Sequence, residues 1–257
     1  MIQIYNMDCV DGMRMLADES IDLTVTSPPY DNLRTYNGFT FDFEAVAKEL
    51  YRVTKQGGVV VWIVADATIK GSETGTSFKQ ALFFKEIGFN LHDTMIWSKP
   101  SFTAVGTLKC RYASTFEYMF VFSKGKPKTF NPIKDRKNIY AGTKKHGTIR
   151  QRDGSTKTAT SVGKRFSEYG IRFNVWNMPA ENSNAKRCHP AQFPEHLVRD
   201  HIISWSKPND IILDPFMGSG TTAVVCSKTN RRCIGFEISK EYSDIANKRM
   251  ENYYGKL

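Results

Sequence analysis

Asp210–Thr222 reads DIILDPFMGSGTT, and ten residues further on Arg232–Glu237 reads RCIGFE. The first stretch opens on a β-branched run, Asp210 to Asp214, which Pro215 stops; a glycine turn and a helical pattern over Thr221–Lys228 follow. The second is another apolar run that ends on an acid. Strand, turn, helix and strand in that order predict a βαβ unit, and with it a parallel sheet carrying helices on its faces. Ligands of such sheets bind outside the carboxyl ends of the strands. Asp214 and Glu237 stand at those two ends, 23 residues apart, near the spacing at which an acid reaches a ribose diol in dinucleotide folds.

Gly218 and Gly220 allow a tight turn and close backbone approach to a ligand. A phosphate loop would need a lysine after the second glycine, where Thr221 stands. A dinucleotide fingerprint is only weakened by Ala223 in its last glycine position, and a turn without a ligand is the plainest alternative. A carboxylate beside the turn suits a cationic ligand better than a pyrophosphate. S-adenosylmethionine, with its sulfonium and ammonium, is such a ligand.

The same alternation extends outward in both directions. Ile21–Thr26 predicts a strand, Phe41 onward a helix closed by Gln56-Gly57-Gly58, Val59–Ala65 a strand buried on both faces, and Ser77–Ile87 a helix. Thr94–Trp97 and Glu117–Phe122 predict further strands, Glu195–Trp205 a helix, and Ser239–Tyr253 a last helix with Ser239 at its cap. The predicted architecture is an α/β, doubly wound parallel sheet built from both ends of the chain. Residues 1–123 and 189–257 form it, with residues 124–188 inserted.

The insert carries the charge. The chain has 36 Lys and Arg against 26 Asp and Glu, a net +10. Lys124–Arg172 alone holds 14 basic and three acidic residues, +11, and the remainder is at −1. The segment is poor in Leu, Ile and Val and nearly excludes acids, as a polyanion-facing surface does; a solvated loop is the alternative. Lys144, Lys145, Arg150, Arg152, Lys164 and Arg165 are the candidate contacts to a nucleic-acid backbone.

Composition excludes other classes. At 257 residues, 40% apolar and 24% charged, the chain is long enough for a core and ordinary for a folded protein. No run approaches the ~18 apolar residues of a membrane helix, and the start MIQIYNMDCVDG lacks a signal peptide's features, which predicts a cytoplasmic protein with no membrane partner. Cys9, Cys110, Cys188, Cys226 and Cys233 are scattered and form no CxxC, which argues against a disulfide framework and against a metal site.

A second motif, TSPPY (Thr26–Tyr30), closes the Ile21–Thr26 strand. Pro28 and Pro29 fix the backbone and donate no amide hydrogens, leaving carbonyls free to accept. Ser27 adds a hydroxyl and Tyr30 an aromatic face. A planar base with an exocyclic amine would stack on Tyr30 and donate to Ser27 and the Pro28 carbonyl. A rigid loop with a buried tyrosine is the alternative.

TSPPY near the start, HPAQFP (His189–Pro194), DPFMGSGTT and then GFE (Gly235–Glu237) together resemble the amino-group DNA methyltransferases in their permuted, β-class order. The resemblance spans nearly the whole chain apart from the basic insert. It implies a Rossmann-like, S-adenosylmethionine-dependent sheet, with the insert as target-recognition domain. It further implies that Asp214, Phe216, Gly218, Ser219, Gly220 and Thr221 cradle the methionine part of the cofactor and that Glu237 holds the ribose. Asp8 would lie near the adenine, with His189–Phe193 lining the same pocket, and Thr26 would also belong to the cofactor site. Ser27, Pro28, Pro29 and Tyr30 would act on the target base. Arg111, Tyr112 and Glu117 resemble the family's segment ahead of the insert, where an ordinary strand and arginine pair is the simpler reading.

The implied reaction is methyl transfer to the exocyclic N4 of cytosine in duplex DNA, by base flipping and direct in-line transfer without a cysteine nucleophile. Ser in the first motif position is associated in the family mainly with cytosine, although a serine hydroxyl also accepts from the N6 amine of adenine. The adenine-N6 reaction is the alternative, a non-catalytic DNA-binding protein a more distant one. The sequence is compatible with a homodimer and assigns no restriction partner.

Overall fold

The computed structural model describes residues 1–29, 42–100, 110–180 and 194–255. Its centre is an eight-stranded sheet. In chain order the strands are β1 (Ile2–Asn6), β2 (Ile21–Thr26), β3 (Thr54–Val64), β4 (Asn90–Ser98), β5 (Phe116–Ser123), β6 (Val175–Asn177), β7 (Ile211–Asp214) and β8 (Arg232–Glu237). Across the sheet they run β1-β8-β7-β2-β3-β5-β4-β6. The helices are α1 (Cys9–Arg14), α2 (Phe43–Val53), α3 (Thr76–Glu86), α4 (Glu195–Trp205), α5 (Thr221–Lys228) and α6 (Lys240–Tyr254).

One expectation is corrected. The sheet is mixed, because β5 runs antiparallel to both β3 and β4 while the other neighbours are parallel. An antiparallel pair needs no crossover helix, and among the described residues none lies between β4 and β5. Within the central sheet and its flanking helices, the sequence reading lacks three short elements, β1, α1 and β6.

Strand β3 shows why the sheet sits in the middle. Val59, Val61 and Ile63 face one apolar cluster, together with residues of α4, α5 and α6. Val60, Trp62 and Val64 face the other, together with residues of α1, α2 and α3. Successive side chains of a strand point to opposite faces, so an unbroken apolar run feeds both layers. Truncating the fully buried Trp62 to alanine would cost about 3–5 kcal/mol. Its indole Nε1 also donates to Gln80 Oε1 of α3 at 2.9 Å, which locks that helix to the sheet.

The β3 strand starts earlier than the Gly57-Gly58 pair suggests, directly after α2. Gly57 sits at φ +82°, and its neighbour's missing Cβ would lie 3.0 Å from the Asp22 carbonyl, so both glycines serve an irregularity in the β2–β3 pairing rather than a helix stop. Helix α2 presents Val46, Ala47, Leu50 and Val53 to the core, and Asp42 accepts from the Ala45 amide at its start. Ser239 occupies the cap position of α6 as expected, but its side chain makes no capping bond.

The chain divides into two compact units, Met1–Asn131 with Asn174–Leu257, and Pro132–Phe173. The sheet and helices form the first. The second lies inside the 124–188 span read as the insert, and β6, also inside that span, is a strand of the main sheet. No residue of Pro132–Phe173 is buried. The unit is one antiparallel arm instead. Two limbs are bonded to each other at Arg172–Ile133, Asn138–Glu168, Phe166–Thr143 and Lys145–Lys164, and the hairpin Thr148–Arg150 with Thr156–Thr158 ends the arm. Arg172 grips Asp135 with two nitrogens near its base, and the Arg136 guanidinium lies 4.5 Å from the Phe173 ring centre.

Candidate active site at the carboxyl edge of the sheet

Parallel pairing of β1, β8, β7, β2 and β3 brings their carboxyl ends to one edge. Antiparallel β5 delivers its first residues, Phe116 and Glu117, to the same edge. Both motifs read from the sequence therefore meet there: Thr26 at the tip of β2 with Ser27 following, Asp214 at the tip of β7 with the glycine turn following, and Glu237 at the tip of β8.

The two motifs are bonded directly. Thr26 Oγ1 donates to Asp214 Oδ1 at 2.7 Å, Thr222 Oγ1 donates to Asp214 Oδ2 at 2.6 Å, and the Phe216 amide donates to Oδ1 at 3.1 Å. Asp214 is completely buried. Burial pushes its carboxyl above the ordinary range, against the pull of its three donors. Asp214 is thus the inward-facing hub of the turn, with three of its roughly four acceptor positions filled by the protein itself.

Glu237 is held differently. Its Oε2 accepts from the Gly218 amide at 2.7 Å and its Oε1 from the Ser239 amide at 2.9 Å, so each oxygen keeps a lone pair. Burial, then the neighbouring Asp214 charge at smaller weight, raises this carboxyl too. Among the described residues neither acid has a lysine or arginine partner. Asn6 Nδ2 and the Met7 amide, at the end of β1, donate to the Glu237 carbonyl at 2.8 and 3.1 Å and fix the strand tip.

The turn is shaped from below. Gly218 (φ +52°) and Gly220 (φ +83°) both adopt left-handed conformations, and a Cβ on Gly220 would come within 2.9 Å of Ala246 on α6. Phe216 packs edge-on to Trp62 of β3 with ring centres 6.3 Å apart. Arg249 of α6 donates to the Ser219 carbonyl at 2.7 Å and to its hydroxyl at 3.1 Å, and reaches Thr221 Oγ1 at 3.4 Å. Ser219 and Thr221 are accordingly buried side chains turned toward α6.

The remaining expected residues are distributed as follows. Asp8 caps α1, accepting from the Val10 and Asp11 amides, immediately after the β1 tip. Ser27 and Pro29 are half-buried and Pro28 is buried. Tyr30, His189 and Phe193 lie outside the described residues. Glu117 pairs with Lys99 of the adjoining strand end, while Arg111 donates to the Gly71 carbonyl and Tyr112 is fully exposed. All six candidate DNA contacts fall on the arm. Arg165 donates to the Gly142 carbonyl, and Lys145 Nζ lies 5.1 Å from the Phe166 ring centre. The Cys9 thiol is pushed up to about 12 by burial and the adjacent Asp8, and Cys233 is raised well above its ordinary value beside Cys226. None of these is an activated nucleophile.

Arg249 and Thr222 were not among the residues picked from the sequence. Thr222 is the second threonine of DPFMGSGTT; for Arg249, in the middle of a charged helix, the sequence carries no signal. Among the described residues no cluster of His, Cys, Asp and Glu could hold a metal, and no helix is long and apolar enough to cross a membrane.

Fold and site define an α/β protein of the Rossmann-like methyltransferase type. PvuII DNA methyltransferase (cytosine-N4-specific) superposes with a TM-score of 0.70 at 21% identity, over 99% of this chain and 92% of that one. The M1.HpyAVI–SAM complex does so at 0.64 and 24%, over 97% and 100%. The family model described as DNA methylase, that of the N6 and N4 enzymes, matches residues 21–248. The orphan methyltransferase M.BamHII of Bacillus amyloliquefaciens is 58% identical over 93% of this chain and 91% of its own length. Type II methyltransferase M.BglII of Bacillus subtilis is 30% identical over 95% and 67%. The chain belongs to the amino-group DNA methyltransferases, an S-adenosylmethionine-dependent family.

Proposed function

We propose that this protein methylates the exocyclic N4 of cytosine at a specific site in duplex DNA, acting on a base flipped out of the helix, in the cytoplasm. The observation that carries the reading is the buried Thr26–Asp214 bond, which joins the TSPPY strand tip to the glycine turn.

The residues present fit S-adenosylmethionine. Glu237 retains an acceptor position on each oxygen for a ribose hydroxyl pair, and its bond to the amide of left-handed Gly218 sets the shape of the turn beside it. Among the described residues neither buried acid has a cationic partner, and Glu237, with acceptor positions left on both oxygens, favours a positively charged occupant beside it. When bound, the cofactor supplies an electrophilic methyl on a sulfonium.

The protein's own groups do the rest. Ser27 and the Pro28 carbonyl accept the two amine hydrogens of the target base, which draws the nitrogen lone pair out of conjugation and aims it. Tyr30 stacks on the flipped ring and offsets part of the unstacking cost. Asp214 acts through the turn and through Thr26, holding the two half-sites in register.

Serine at the head of the SPPY motif supports cytosine over adenine. The test is to methylate duplex DNA with the purified protein, digest it to nucleosides and identify the product by mass. N4-methyl-deoxycytidine is expected. N6-methyl-deoxyadenosine would replace the base assignment, and the absence of any methylated nucleoside would overturn the reading.

A further inference from the structure

The basic arm ends in a hairpin built unlike the rest of the molecule. All six residues of its two strands are exposed, and the ladder bonds only Thr148–Arg150 to Thr156–Thr158. The register sets Thr148, Arg150, Thr156 and Thr158 on one face, because Arg150 lies opposite Thr156 and Thr148 opposite Thr158. That face is a guanidinium among three hydroxyls, without an acid. The turn at the tip is tied shut by Gln151 N to Ser155 O at 2.7 Å and by Asp153 accepting from the Ser155 amide and hydroxyl at 2.9 and 2.7 Å. The one acid of the hairpin therefore serves the turn, and Arg152 projects from it.

Further down the arm the cations are used otherwise. Arg136, Lys145, Arg165 and Arg172 are engaged with rings, carbonyls or Asp135 inside the arm itself. Pro132–Phe173 carries eleven basic residues against three acidic ones, so the arm is cationic along its length, while its tip combines free guanidinium groups with hydroxyls.

We infer that the Thr148–Thr158 hairpin enters the major groove of duplex DNA and reads base edges through Arg150 and Arg152, whereas Lys144 and Lys164 hold phosphates. The major groove of B-form DNA admits a two-stranded ribbon, arginine meets guanine there bidentately, and threonine hydroxyls serve either donor or acceptor edges. A lysine on a phosphate adds affinity without sequence information. The inference rests on the DNA-methyltransferase reading, but it does not depend on which base is methylated.

The test uses the full-length protein on a duplex library randomised around the methylated position, with product sequences counted, and repeats binding over a salt series. Arg150→Lys with Arg152→Lys keeps both charges but loses the bidentate fork. It is expected to relax preference at one or two positions about tenfold to a hundredfold while leaving the salt slope unchanged. Lys144→Ala with Lys164→Ala is expected to keep the sequence profile and lower the slope by about 2. An unchanged profile in the arginine pair overturns the inference, as does equal arm-dependent binding of duplex RNA, whose A-form major groove is too narrow for a ribbon. Cofactor binding by the same variants, measured without DNA, verifies that they are folded. A wild-type protein that methylates no duplex defeats the parent reading instead.

Discussion

Thr26 Oγ1 lies 2.7 Å from Asp214 Oδ1, a bond between residues 188 apart in sequence at the centre of the carboxyl edge. It ties the strand that ends in the TSPPY motif to the strand that ends in the glycine turn. A charged acceptor in a fully buried position makes such a bond worth about 1.5–3 kcal/mol. Thr26→Val should cost that much in urea unfolding and lower single-turnover methylation more than it lowers cofactor affinity, with Thr26→Ser restoring both. Asp214→Ala strands three donors at once and should be the more destabilising change. If Thr26→Val matched the wild type in stability and rate, the bond would have no role in joining the half-sites.

Glu237 connects acid–base behaviour to binding. Burial raises its carboxyl above the ordinary 4.5, so the folded state holds its proton more tightly than the unfolded state does. The contribution to stability is complete below the unfolded value and is lost as pH rises through the folded one. Glu237→Gln, uncharged throughout, should remove that slope, and the difference between wild type and variant in chemical unfolding should shift against the wild type as pH rises above about 4.5. Affinity for the cofactor should move the opposite way in the wild type, strengthening as the carboxylate ionises. Calorimetry across pH 4–7, an interval chosen from the ordinary carboxylate range, would show parallel curves for wild type and variant were Glu237 not the ribose acceptor.

Much of this site is legible in the sequence because strand tips carry it. DIILD and RCIGFE each end on the acid that the structure places at the edge, and IDLTVT delivers Thr26 to the same place. The direction of β5 is not legible, since FEYMFVFS is apolar enough to be buried in either orientation and only its partners decide. Nor is the inward turn of Asp214: the residue type marks a ligand or a hub equally well, and the difference lies in Thr26 and Thr222, whose hydroxyls reach it only after folding. The basic segment is legible as a charged surface but not as an arm, because its limbs are joined by irregular backbone bonds that leave no periodic apolar pattern.

Tyr30 follows the half-buried Pro29. Stacking of a base on an aromatic ring is worth about 1–3 kcal/mol, so Tyr30→Ala should lower turnover on duplex DNA about tenfold to a hundredfold. The urea-unfolding curve of the variant is expected to match that of the wild type. A substrate with a mismatch at the target is cheaper to flip and should recover part of the lost rate. Equal losses on matched and mismatched duplexes would assign the tyrosine a role other than holding the flipped base.

Arg249 joins α6 to the glycine turn and to α4. One nitrogen donates to the Ser219 carbonyl and hydroxyl, and the other reaches Glu195 of α4 at 3.4 Å, which Lys228 of α5 also pairs. The ion pair itself is partly exposed and contributes little, about 0–1 kcal/mol. The bond to the Ser219 carbonyl matters more, because it fixes the turn between two glycines whose left-handed backbones have no side chains to hold them. Arg249→Met keeps the apolar stem of the side chain and removes the donors. It should weaken cofactor binding about tenfold, raise KM for the cofactor in proportion and leave kcat within about twofold, because the TSPPY strand tip keeps its own tie through Thr26 to Asp214. A fall in kcat with unchanged KM would mean instead that α6 positions the transferring groups and not the turn.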